Sequence, residues 1–295
     1  MLPRGSLALP DLLQFLFAGL TNGAIYALIA LGFCVVHNTM GIVNFAQVDF
    51  VSLGGMLLYS ALFALGLAMP LALVTAIIGV SVAAMLVERL GLRPARSDHP
   101  LVLIFLTIGL SIMLRGLMAL NWGKNRMAVP PLTGDEPLRL FGAALLPQTL
   151  WVLALTALAI VALLWFYRRT RLGLAMRAVA ANPLAAAVVG LPVGRVKMLT
   201  FGLAGALGGL AGVLITPITT LRYDVGVLLG LKGFAAAILG GFGSLPGAVL
   251  GGIGLGVLET LSAGYVSSAY KDVCAFVVLL LVLFIRPQGL LGKSG

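Results

Sequence analysis

The sequence predicts an all-α polytopic membrane protein. It reads as one domain over residues 1–295, a bundle of about eight to nine transmembrane helices, and three observations carry that reading. Hydrophobic residues make up 61% of the chain and its mean hydropathy is +1.13, against roughly 45–50% apolar residues in a soluble domain. The apolar residues fall in nine long runs joined by short polar links. Charged residues are only 9% of the chain, yet six of its 19 Lys and Arg, and no acid, lie in the single stretch Arg168–Lys197.

A helix needs about 20 mainly apolar residues to cross a bilayer. The runs that approach this are Leu12–Val36, Val43–Leu65, Ala68–Val87, Leu101–Asn121, Leu150–Tyr167, Val196–Ile215, Val227–Leu239, Ala248–Ala263 and Val273–Ile285. The seventh is short and leads into Gly240-Gly241-Phe242-Gly243-Ser244-Leu245-Pro246-Gly247. A Gly/Pro break between apolar halves marks backbone that protein or water must satisfy, because lipid cannot. Gly230–Gly256 is therefore expected to form a broken, Gly-rich hairpin. The 38 glycines overall, including Gly205, Gly208, Gly209 and Gly212, suit close helix packing where lipid supplies no drive for association.

Lys and Arg near helix ends are retained on the cytoplasmic side. By that rule the Arg89–Arg93–Arg96 link and the Arg168–Lys197 loop lie inside, and Arg286 with Lys293 puts the C-terminus inside. The Trp122–Thr149 connection, with Lys124, Arg126, Asp135, Glu136 and Arg139, is nearly balanced and fits the outside. Nine crossings leave the N-terminus outside; eight, with one re-entrant segment, leave it inside. The N-terminal apolar stretch lacks a clear small-residue cleavage site and is expected to be retained.

Loop 168–197 holds more than topology requires. Leu172–Val189 reads as a short helix with a break at Asn182-Pro183, and it pairs basic residues with an apolar, small-residue face. A helix of this kind at a cytoplasmic surface offers a grip to a partner protein.

The net charge of +10 sits in short links between apolar runs, which excludes a nucleic-acid surface. Cys34 and Cys274 lie in apolar runs with no C-x-x-C, and His37 and His99 are far apart, so neither a metal site nor a catalytic constellation assembles. The nearest P-loop match, residues 287–294, has proline for the first glycine and is rejected; any ATP must bind another chain. Polar residues at membrane depth are the functional candidates. In the first two runs these are Thr21, Asn22, Tyr26, His37, Asn38, Asn44, Gln47 and Asp49, with Asn44 and Gln47 expected on one helix face. Asn22, Tyr26, Asn44, Gln47 and Asp49 form a candidate substrate path; the competing reading is that they bond neighbouring helices. Asp49 is either an interior charge with a partner or an interfacial one. Arg115 and Lys232 are expected to snorkel to the interface.

Several stretches together resemble the permease subunits of branched-chain amino acid ABC importers, the LivH type within the LivH/LivM family. They are Gly19–Gly32 with Met40–Gln47; Thr170–Gly173, Met176–Ala178 and Gly190, leading to Phe201–Leu214; Gly240–Gly251; and Arg286–Gly292. The resemblance implies a pore-forming subunit in a bacterial cytoplasmic membrane. Its partners would be a second, homologous permease, two cytoplasmic ATPases carrying ATP and Mg, and an extracytoplasmic binding protein, with no cofactor on this chain. It further implies that loop 168–197 couples to the ATPases through Arg171, Gly173, Met176, Arg177, Ala181, Asn182 and Gly190, and that transport runs by alternating access. Gln47-Val48 stands where many relatives carry His-Gly, which leaves urea, short amides and aromatic acids beside branched-chain amino acids as ligands. The rival from another class is an ion-coupled secondary transporter, which needs membrane-embedded acid–base pairs; from the sequence only Asp49 qualifies as an interior acid.

Overall fold

The computed structural model describes residues 9–95, 99–134, 136–140, 143–265 and 267–292; Arg96, Asp135, Lys293, the first eight residues and the Cys274 side chain lie outside the described residues. Eleven α-helices follow in order among them: α1 (Leu9–Met40), α2 (Gln47–Phe63), α3 (Met69–Leu86), α4 (Pro100–Trp122), α5 (Pro147–Arg169), α6 (Arg171–Ala181), α7 (Pro183–Val188), α8 (Val193–Ile215), α9 (Val225–Gly240), α10 (Leu245–Tyr265) and α11 (Lys271–Ile285). A π-helical turn, Val87–Leu92, extends α3, and a two-stranded antiparallel ribbon, β1 (Leu138–Leu140) with β2 (Ala143–Leu145), lies in the α4–α5 connection. Six helices among the described residues are long and apolar enough to cross a bilayer: Pro10–Met40, Met69–Leu92, Pro100–Trp122, Pro147–Arg169, Val193–Ile215 and Leu245–Tyr265. Gln47–Phe63 and Val225–Gly240 are shorter apolar helices. The chain is a multi-pass membrane protein.

The core is built around α1, which packs against α8, α9 and α10. Glycine lets the helices meet backbone to backbone. A Cβ on Gly256 of α10 would meet the backbone of Gly23 of α1, and one on Gly212 of α8 would meet the Val51 carbonyl of α2. On its other side α8 presents Gly205 and Gly209 to Val80 and Ala84 of α3. At these spots shape, not hydrophobic drive, sets the fit. By contrast α4 keeps Phe105, Ile112 and Leu120 exposed, and α11 keeps Leu280 and Phe284 exposed; in a bilayer these faces meet acyl chains or another membrane protein.

Two ends are distinguishable. At one, Asn38 Nδ2 of α1 donates to the Gly243 carbonyl between α9 and α10, the Leu290 amide donates to the Leu239 carbonyl, and Arg93 lies beside Gly194 at the start of α8. Loop 168–197 is at this end too, as α6 packs on α1 and α5. Among the described residues, the Arg93 link, loop 168–197 and the segment after α11 are thus gathered on one side. At the other end Trp122 Nε1 donates to Ser60 Oγ, Met127 bridges Leu221, and Trp151 Nε1 donates to Thr133 Oγ1.

One expectation about α2 fails. Its run was expected to be helical from Val43, with Asn44 and Gln47 sharing a face, but residues 41–46 are not helical and the helix begins at Gln47. The reason is local. Gly41 has φ 68°, Asn44 Oδ1 accepts from the Ala46 amide at 3.1 Å, and the Phe45 amide donates to Thr107 Oγ1 at 3.1 Å. Side chains thereby take the backbone donors a helix would use. Because Gln47 lies against Gly32, α2 starts about 12 Å back along α1 from its end, at 1.5 Å per residue. The start of α9 is also inside the fold, where the Gly226 amide donates to Ser52 Oγ at 2.8 Å. Non-helical backbone at such depth is tolerated because protein surrounds it.

Candidate functional site

A cavity of about 600 Å³ opens near the end opposite loop 168–197, between α1, α4, α9, α10, α11 and the α8–α9 link. Asn22 and Tyr26, one helical turn apart on α1, line it. Tyr26 is 3% exposed, and its hydroxyl donates to Glu259 Oε2 of α10 at 2.8 Å. Lys232 of α9 closes the network with 2.6 Å to Glu259 Oε1 and 2.8 Å to Asp272 Oδ1 of α11, while Lys271 stands 3.8 Å from Glu259. Four helices are tied together through one carboxylate whose two oxygens are both engaged. That satisfaction is what a buried charge requires.

The expectation that Lys232 snorkels is therefore corrected: its ammonium turns inward to two acids. Glu259, only 3% exposed, is the residue the sequence reading missed. The signal was present, because Lys232 and Glu259 each interrupt an apolar run with one charge, and opposite charges at membrane depth pair by default.

Arg115 requires the same correction. Its Nε lies 3.2 Å from Asp49 Oδ1, Ser111 Oγ donates to Asp49 Oδ2, and Arg115 Nη2 donates back to Ser111 Oγ at 3.2 Å. Asp49 is interior, 1% exposed, and has a partner, which decides between its two sequence readings. Arg115 also reaches the cavity wall.

The five path candidates consequently divide. Asn22 and Tyr26 line the cavity, whereas Asn44, Gln47 and Asp49 are buried and do not line it, Gln47 where α2 meets α1 and α8 and Asp49 against α4. Gln47 Nε2 donates to the Ala204 carbonyl at 3.0 Å, wedged between Gly32 and Gly208. Gln47 Oε1 and Asn44 Nδ2 are buried without a hydrogen-bond partner among the described residues, so both carry unspent polar capacity.

At the other end loop 168–197 folds as a helical hairpin, and the Asn182-Pro183 break is real. Thr170 caps α6 by accepting from the Gly173 amide at 3.0 Å, and Asn182 caps α7 by accepting from the Ala185 amide at 3.0 Å. Gly173 has no room for a Cβ against Phe166 and Tyr167, and Gly190 ends α7 at φ 86°. Met176 is buried against the bundle; Arg171, Arg177, Ala181 and Asn182 are exposed. Leu184 and Val188 stand 80% and 87% exposed at the tip. A second cavity of about 380 Å³ lies between this hairpin and the α9–α10 turn, with Arg168, Arg177, Tyr167 and Asn38 on its wall.

Comparison with known proteins follows this geometry closely in extent. The family described as branched-chain amino acid transport system / permease component matches residues 15–283. The high-affinity branched-chain amino acid transport system permease protein LivH of Escherichia coli (strain K12) is 36% identical over 294 residues, covering 95% of this chain and 96% of that protein. BraD of Pseudomonas aeruginosa, of the same description, is 35% identical over 296 residues with 95% and 96% covered. A probable branched-chain amino acid transport permease protein LivH of Methanocaldococcus jannaschii is 28% identical over 285 residues, covering 90% and 88%. The match takes in both cavities, both buried ion pairs and the whole hairpin, and the chain belongs to the permease-component family of branched-chain amino acid transport systems.

Proposed function

We propose that this chain is the membrane-spanning permease subunit of an ATP-driven importer of branched-chain amino acids in a bacterial cytoplasmic membrane. A second, homologous permease completes the path, two cytoplasmic ATPases bind ATP and Mg, and an extracytoplasmic binding protein delivers the substrate. This chain is not an enzyme. In this reading α1–α5 and α8–α11 make nine crossings, with the N-terminus outside, the C-terminus inside and α9–α10 as the Gly-rich hairpin; the 600 Å³ cavity is the outer mouth.

The observation that carries the proposal is the hairpin tip. Leu184 and Val188 lie in a polar-flanked loop between spans, exposed beside Arg171 and Arg177. Apolar side chains displayed among arginines mark a protein contact. From there α6 packs on α1, and α1 carries Tyr26 at the other end, so movement imposed on the hairpin has a rigid route to the mouth. The unspent amide groups of Asn44 and Gln47 suit a state in which the start of α2 opens and they line the path.

An ion-coupled mechanism needs membrane-embedded acids free to take up the ion. Of the three buried acids among the described residues, Asp49 and Glu259 are each held by a cation from a neighbouring helix, and Glu88 lies in the turn Val87–Leu92 at the basic end, in a small cavity shared with Arg93 and Lys197. Arg177→Glu and Val188→Asp test the coupling role. Both variants should insert in the membrane but lose co-purification with the ATPase subunits, and full retention of the ATPases by both would remove the hairpin from that role.

A further inference from the structure

We infer that the outer cavity is itself a binding site for the α-amino acid zwitterion, in which Glu259 and Asn22 receive the ammonium, Lys232 and Tyr26 the carboxylate, and Ile215, Val227 and Leu228 the aliphatic side chain. This rests on the reading of the chain as an amino acid permease and assigns to the permease a selectivity that a delivering protein would otherwise hold alone.

The charge pattern points to a ligand carrying both signs. Arg115, Arg126, Arg222, Lys232 and Lys271 face the cavity together with Glu259 and Asp224; Arg222 pairs with Asp224 at the rim, so the acid left to meet an ammonium is Glu259. The principal pair, Lys232 with Glu259, is almost sealed, at 14% and 4% side-chain exposure. A pair so placed is costly to split for a neutral ligand, which would offer nothing to either half. A zwitterion offers both halves a replacement partner, so it can insert with net charge unchanged. Lys232 is prepared for the exchange because Asp272, already at 2.8 Å, stays with it when Glu259 turns to an ammonium. Lys271, 3.8 Å from Glu259, supplies a second cation for the carboxylate.

Asn22 gives an independent indication. Its carboxamide is half-buried on the cavity wall, and among the described residues it makes no hydrogen bond. It sits one turn from Tyr26, so a donor and an acceptor without partners face the same space as the ion pair. Sites of this type combine an apolar wall with a few convergent polar groups, and the cavity has room for a leucine-sized ligand. The same chemistry argues against urea, short amides and aromatic acids: a neutral amide cannot replace either charge, and an acid lacking an ammonium leaves Glu259 unmatched.

The test is equilibrium binding of labelled leucine to the assembled complex in lipid nanodiscs without the binding protein, alongside ATP-driven leucine uptake by the same complex with the binding protein in proteoliposomes. Saturable, weak binding is expected, displaced by isoleucine and valine but not by leucinol, which lacks the carboxylate, or by 4-methylpentanoate, which lacks the ammonium. Glu259→Gln should weaken it by about tenfold or more. Asn22→Leu, which leaves the ion pair untouched and keeps the side-chain size, should do the same, so misfolding of the first variant does not decide the matter. A complex that transports leucine yet shows no saturable binding, or binds leucinol as well as leucine, overturns the site while leaving the importer standing. A complex that moves no leucine with ATP removes the importer reading and the site with it.

Discussion

Asp49 is buried in the first turn of α2, and the guanidinium that neutralises it comes from α4, a helix whose apolar window is only 17% buried. The pair is thus one of the polar contacts that hold α4 against α2, with Trp122 to Ser60 at the outer end and Phe45, just before α2, to Thr107. Asp49→Asn should leave Arg115 without a counter-charge and destabilise the protein by about 1–3 kcal/mol, between the exposed and buried limits. Adding Arg115→Gln should recover part of that loss in thermal melting of the purified complex; additive losses would show that the two do not interact. Replacing Asn44 and Gln47 together by Leu should reduce transport while assembly persists. Unchanged uptake would make both side chains packing elements. Asp49, Arg115 and Lys232 were read from the sequence as charges within apolar runs, while Glu259, a single charge within the run Ala248–Ala263, was passed over. What hydropathy could not supply was which helices become neighbours, since Tyr26 and Glu259 lie 233 positions apart.

Among the elements, the long spans were legible because a run of about 20 apolar residues has one physical use in a bilayer. The start of α2 was not, whereas α9 begins within two residues of the expected Val227. Whether residues 41–46 wind into a helix depends on Thr107, Asn44 and Gly41 competing for backbone donors, and hydropathy is blind to that competition. The α6–α7 break was readable because Asn-Pro both caps and interrupts. Asn182→Ala should weaken α7 by about 1 kcal/mol and lower ATPase coupling, measured as the ratio of leucine moved to ATP hydrolysed, while membrane insertion is unaffected; an unchanged ratio would mean that α7 takes no part in coupling. The α1–α10 contact makes a harsher prediction. Gly256→Leu drives a side chain into the Gly23 backbone, where overpacking costs about 1–3 kcal/mol or more, and the variant should fail to elute as a single species after solubilisation. A monodisperse variant melting like wild type would refute that packing.

For the molecule as a whole, the basic hairpin and the charged cavity lie at opposite ends of one bundle, joined by α1. In the proposed reading this arrangement gives alternating access what it would use in a partner-driven importer: a place where a partner's motion arrives, a stiff element that carries it, and a polar network whose pairs can exchange. The network of Tyr26, Lys232, Glu259 and Asp272 spans four helices and is the natural point for that exchange. The measurement that tests this account most directly is uptake of labelled leucine by the reconstituted complex with active or catalytically dead ATPase subunits. The account predicts uptake that requires ATP and disappears with the dead ATPases. Uptake that persists with them and instead follows a proton or sodium gradient would contradict it.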